Sequence, residues 1–135
     1  MTIWLFRWGP AALIMGIIFI ASSTPGSDLP DFGIIDLLVR KGGHLVGYAL
    51  LGAAFFHGLS SGKSQTRSWI IITEILVILY ALSDEWHQSF SPGRNPALMD
   101  ICIDAAGGLI GIASLYFARK RWSHSRKQDS QSIRL

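Results

Sequence analysis

Cysteine is nearly missing: Cys102 stands alone in a chain of 135 residues, so neither an intrachain disulfide nor a cysteine metal cluster can form. Its neighbours Ile101 and Ile103 predict a buried, inert thiol. Charge is also scarce, at 16% of residues, whereas a soluble domain of this size needs much polar surface to cover its core. A glycine-rich nucleotide loop, a serine elbow and the cysteine–histidine spacing of a zinc site are all lacking, which leaves any cofactor unidentified. The net charge of +3 and the pI of 9.4 raise the question of nucleic acid. The cations, however, gather in the tail from Arg119 to Arg134, with no helical stripe and no interleaved stacking aromatics. Nucleic acid is therefore set aside as a partner.

What the chain does have is apolar length: half of its residues are hydrophobic, and the mean hydropathy is +0.36. Four apolar segments cover residues 3–21, 42–59, 69–88 and 96–117. Each is close to the roughly 20 residues that a helix needs to cross a hydrocarbon core. The pattern predicts an all-α protein, a four-helix transmembrane bundle, with a single membrane domain over residues 1–122. A polar, basic tail over 123–135 reads as disordered. The third segment is interrupted by Glu74 and reaches full length only if its helix continues through Ser83, Asp84 and Glu85. The first has some features of a signal peptide, with Arg7 ahead of an apolar run, but Trp4 and Trp8 beside Arg7 read better as an interfacial anchor.

Lysine and arginine set the orientation. With a cytoplasmic N-terminus, the inner side holds Arg7, Lys63, Arg67, Arg119, Lys120, Arg121, Arg126, Lys127 and Arg134, nine of the twelve cations. Both termini are thus expected in the cytoplasm. Trp4, Trp8, Trp69, Trp86 and Trp122 all fall at segment ends, where amphipathic rings prefer to sit. Most acids lie at the other side: Asp28, Asp31, Asp36, Asp84, Glu85, Asp100 and Asp104. Between the third and fourth segments, Ser91, Pro92 and Gly93 predict a turn, and Asn95 with Pro96 a helix start. Residues 22–33 read as a surface loop, and 34–39 as a stretch dipping into the interface.

Helical spacing gathers the outer polar residues into stripes. Lys41, His44 and Tyr48 share one face of the second helix, Asp84, Glu85 and Gln88 one of the third, and Asp100, Asp104, Gly107 and Gly111 one of the fourth. A charge at the bilayer centre costs roughly 2.5–3.5 kcal/mol, less near the interface, so these stripes are expected to face inward and pair. Gly43 with Gly47 and Gly107 with Gly111 each form a G-x-x-x-G, a signal for close helix packing. Plainer readings stand beside these. Asp100 alone is equally an acid complementing a helix N-terminus; His87 reads as an exposed interfacial residue, Arg94 as a solvated loop cation, and Glu74 as an acid reaching toward Lys63 or Arg67.

Three accounts of the convergence remain open. In a binding site, Lys41 and Arg94 grip phosphate or carboxylate while Tyr48, Gln88, Asp100 and Asp104 complete the wall. In a membrane-embedded hydrolase or transferase, His44 acts as general base beside Asp84 and Glu85; a variant holds magnesium or manganese on Asp84, Glu85 and Asp100. The third is a buried ion-pair network that only joins helices.

The run Ser83-Asp84-Glu85-x-x-Gln88-x-Phe90-x-Pro92-Gly93-Arg94, followed by Asp100-x-x-x-Asp104-x-x-Gly107-x-x-x-Gly111, resembles the signature of the VanZ-like family of small membrane proteins. Arg40-Lys41-x-x-His44-x-x-x-Tyr48-x-x-Leu51 looks like that family's first motif, and Ser22-Ser23-Thr24-Pro25 its S-x-x-P junction. Asp104 departs from the pattern, where asparagine is frequent. The resemblance implies a multi-pass protein of the bacterial cytoplasmic membrane, with membrane lipids as partners. The family's namesake is associated with resistance to the lipoglycopeptide teicoplanin, which implies a lipid-linked cell-wall precursor or a glycopeptide as a further partner. No reaction follows from it.

Overall fold

The computed structural model describes residues 2–24, 34–61, 67–91 and 97–132. Four helices follow in order: α1 (Thr2–Ser22), α2 (Ile34–Ser60), α3 (Arg67–Gln88) and α4 (Leu98–Ser132). All regular structure among the described residues is helical, so the molecule is an all-α four-helix bundle. Arg94, Pro92 and Gly93 of the expected turn, the helix start at Asn95 and Pro96, Pro25 of the junction, Asp28, Asp31, Lys63 and Arg134 lie outside the described residues.

Two helices are longer than their apolar segments. α2 begins at Ile34 and takes in residues read as an interfacial loop, because the sequence from Ile34 to Val39 holds no proline or glycine to stop a helix. α4 runs on to Ser132, into the stretch read as a disordered tail. That stretch contains no proline or glycine, and its arginines, lysines and glutamines form helix readily. α3 passes through Ser83, Asp84 and Glu85 to Gln88.

Hydrogen bonds between the helix ends fix their directions. Ser22 of α1 meets Asp84 of α3, and Lys41 of α2 meets Asp100 of α4, at one end of the bundle. At the other, Arg7 of α1 donates to the Gly58 carbonyl of α2, and Arg119 of α4 to the Ser60 hydroxyl. Consecutive helices are therefore antiparallel. The Arg7 bonds, 3.2 Å from Nε and 2.8 Å from Nη2, satisfy a carbonyl in the last turn of α2. Pro10 lies inside α1 and has no N–H to give the Phe6 carbonyl four residues back; that carbonyl faces the His57 ring of α2.

The largest interface joins α2 and α4, and glycine permits it. A Cβ on Gly107 would lie 2.5 Å from the Leu45 carbonyl oxygen, and one on Gly111 would overlap the Ala49 carbonyl. The second G-x-x-x-G behaves otherwise. A Cβ on Gly43 would meet nothing within 4 Å, and one on Gly47 only the Ile18 side chain, 3.5 Å away. Gly43 and Gly47 thus leave space rather than bring backbones together.

Tyr48, Leu51 and Phe56 of α2, Val77 and Ala81 of α3 and Ile112 of α4 form the buried centre, with Ala11 and Ile18 added by α1. Outward, every helix exposes large apolar side chains, such as Leu13 and Ile17, Val46 and Leu50, Ile75 and Leu79, and Leu109 and Ile110. Cys102 belongs to this outer surface and is not buried: two helical steps carry it about 200° from Asp100, which faces the bundle. α1 and residues 98–123 of α4 are long and apolar enough to cross a membrane. α2 and α3 fall short of that measure, α2 because His44, His57 and its glycines lower the hydropathy of residues 42–59, α3 because Glu74, Asp84 and Glu85 interrupt it.

Candidate binding site

The three polar stripes meet at the end of the bundle marked by Ser22 and Lys41. Asp84 is the best-connected member and is only 3% exposed. Its Oδ2 accepts the Ser22 hydroxyl at 2.9 Å, the Gln88 amide at 3.0 Å and the Tyr48 hydroxyl at 3.4 Å. α1, α2 and α3 are thereby joined at one oxygen. Gln88, one turn after Asp84 on α3, also lies 3.4 Å from the Ser22 hydroxyl. The other oxygen, Asp84 Oδ1, is buried and has no hydrogen-bond partner among the described residues.

Asp104 repeats the arrangement one layer away. It is fully buried, and its Oδ1 lies 3.3 Å from His44 Nδ1, while Oδ2 has no partner among the described residues. The His44 ring stacks along Tyr48, with centroids 6.1 Å apart and planes 15° from parallel. A histidine held at Nδ1 by a carboxyl group has its ring orientation fixed, which suits either a wall residue or a base.

Lys41 and Asp100 make a 2.8 Å ion pair, each about one-third exposed. Glu85 turns toward the start of α4, where Oε2 accepts the Ala97 N–H at 3.0 Å. A carboxylate there satisfies an N–H that the helix leaves without a partner and complements its dipole. Asp84, Glu85 and Asp100 are not assembled as a ligand set: among the described residues, no group of three or more His, Cys, Asp or Glu side chains is placed to hold a metal ion. His87 is tucked against Phe19, ring centroids 4.4 Å apart, so it is less exposed than an interfacial residue would be. Glu74 Oε2 is buried without a hydrogen-bond partner among the described residues.

Beside this cluster is a cavity of about 410 Å³ between α1 and α2. Ile17, Ile18, Ala21 and Val39 supply apolar wall, Gly43 and Gly47 the space, and His44 a polar side, with the buried Ser22 and Tyr48 behind it. Thr24, just past the end of α1, and Arg40, in the second turn of α2, also line it. The acids Asp84 and Asp104 stand behind the polar side, each bonded to residues that line it. The space thus joins an apolar wall to a polar edge at His44 and Arg40.

Ser22 is the participant that spacing alone did not single out. It ends an apolar helix and reads as the first residue of a loop, yet it is 1% exposed. The available signal was its place at the same end of the bundle as the acidic stripes, within the S-x-x-P pattern.

No curated protein and no solved structure matches the chain. The family model VanZ/LLP1 does, over residues 7–119. That span runs from the arginine that holds the end of α2 to the arginine bonded to Ser60, and it takes in every residue of the polar cluster; the chain belongs to the VanZ-like family.

Proposed function

We propose that this is a multi-pass protein of the bacterial cytoplasmic membrane, both termini cytoplasmic, that binds a lipid-linked envelope component at its outward end. In this reading the lipid chain enters between α1 and α2 and the head group lies at Arg40, Thr24 and His44. Occupancy alters susceptibility to glycopeptides such as teicoplanin. The observation that carries the proposal is the cavity itself, apolar along Ile17 and Ile18 and polar at His44 and Arg40. The outward apolar side chains on all four helices support the membrane placement.

Gly43→Leu tests it, because the new side chain meets open space at its Cβ and extends into the cavity. Native mass spectrometry with a polyprenyl phosphate as probe is expected to show the lipid retained by the natural chain and about tenfold less by the variant, a loss of about 1.4 kcal/mol. Equal retention by both proteins overturns the reading.

The second reading is a membrane-embedded hydrolase or transferase acting on a lipid-linked envelope substrate. The pairing of His44 with Asp104 favours it, since a carboxyl group at Nδ1 orients an imidazole for proton transfer at the opposite nitrogen.

A further inference from the structure

The opposite end of the bundle carries a second polar arrangement, built around Arg119. Its Nη1 donates to the Ser60 hydroxyl at 2.7 Å and its Nη2 to His57 Nδ1 at 2.6 Å. A guanidinium has no acceptor, so His57 must accept at Nδ1 and carry its proton at Nε2, the neutral form. The group also lies 6.0 Å from the centre of the Phe56 ring. Arg119 is therefore held by three neutral partners, which position its charge without cancelling it. Arg7 is likewise bonded to a neutral group, the Gly58 carbonyl.

No carboxyl group among the described residues pairs with either arginine, and the pairs Lys41–Asp100 and His44–Asp104 are at the other end of the bundle. Glu74, the acid that lies in this half of α3, has an unbonded Oε2 beside Gly108 and neutralises neither. An arginine held only by neutral groups keeps its charge available to an anion.

A concavity of about 360 Å³ is lined by Tyr116, Arg119, Lys120 and Ser123. It offers two cations and a phenol, a donor set that suits a phosphate, while the Ser123 hydroxyl donates to the Lys120 carbonyl at 2.8 Å. Tyr116 is braced edge-on against Phe56, 6.4 Å between centroids, and Trp122 nearby is exposed as an interfacial anchor would be. We infer that this end of the bundle holds the phosphate of an anionic phospholipid between Arg119 and Lys120. The inference uses the membrane placement and is independent of any occupant of the α1–α2 cavity.

The test is lipid retention by the full chain after extraction from nanodiscs of phosphatidylcholine mixed with phosphatidylglycerol. The natural protein is expected to keep phosphatidylglycerol in preference, and Arg119→Gln and Lys120→Gln each to reduce that preference roughly fivefold. Equal retention of the two lipids by the natural chain, or an unchanged preference in the variants, overturns it. Thermal protection by inorganic phosphate in pure phosphatidylcholine discs would assign the site to soluble phosphate and overturn the lipid as occupant. Lys120 is exposed, so its variant carries the test if Arg119→Gln fails to fold. Gly43→Leu is expected to leave phosphatidylglycerol retention unchanged, which separates this site from the cavity.

Discussion

Ser22 and Asp84, 62 positions apart in the chain, are joined by a 2.9 Å hydrogen bond between two side chains that are both almost fully buried. With Tyr48 and Gln88 donating to the same oxygen, the bond ties α1 to α2 and α3 at the end that holds the cavity. Removing the acceptor leaves three buried donors unsatisfied, and each such group costs about 1–3 kcal/mol before the site relaxes. Asp84→Ala is therefore expected to lower thermal stability in nanodiscs markedly. Ser22→Ala, which removes one donor of three, should cost about 1 kcal/mol. Equal losses in the two variants would show that Asp84 is not the hub.

The two G-x-x-x-G pairs give the sharpest contrast. Gly111→Ala places a methyl group on the Ala49 carbonyl and Gly107→Ala one on that of Leu45, so α2 and α4 must separate. Each is expected to destabilise by about 1–3 kcal/mol, the range of overpacking. Gly43→Ala meets open space and should stay within about 0.5 kcal/mol of the natural chain. Thermal unfolding of the three variants settles the point; comparable losses at Gly43 and Gly111 would contradict the packing.

That contrast also shows where sequence reading stops. Stripes of Lys41, His44 and Tyr48, of Asp84 and Gln88, and of Asp100 and Asp104 were legible, because spacing of three, four and seven residues places side chains on one helical face regardless of the fold. The helix that each glycine pair faces was not legible, since identical motifs are compatible with close backbones or with a void. Cys102 misled through its isoleucine neighbours, which describe local polarity and not direction. Its phase relative to Asp100 carried the right information. Glu85 reads as one of the acids on the α3 stripe, but its N-terminal contact with α4 depends on a tertiary approach that no single-helix pattern contains.

Lys41 and Asp100 form an ion pair that is partly open to solvent. Such a pair contributes about 0–1 kcal/mol and is screened by salt. Asp100→Asn is expected to cost at most about 1 kcal/mol, less at high ionic strength, and the exchange Lys41→Asp with Asp100→Lys to recover most of it. A loss of several kcal/mol that salt does not alter would place the pair in a drier setting than its exposure indicates.

His44 separates the two functional readings. Glutamine at this position keeps a hydrogen-bond donor toward Asp104 Oδ1, whereas leucine leaves that buried carboxyl group without its partner. His44→Leu should therefore destabilise by about 1–3 kcal/mol, and His44→Gln by much less. Function then decides. A binding wall tolerates glutamine, so glycopeptide susceptibility and polyprenyl phosphate retention are expected to remain near those of the natural chain. An enzyme that uses His44 as its base loses about 10²–10⁴-fold in rate on the same change, because an amide does not titrate. Retained lipid binding with abolished function in His44→Gln would overturn the binding reading in favour of proton transfer.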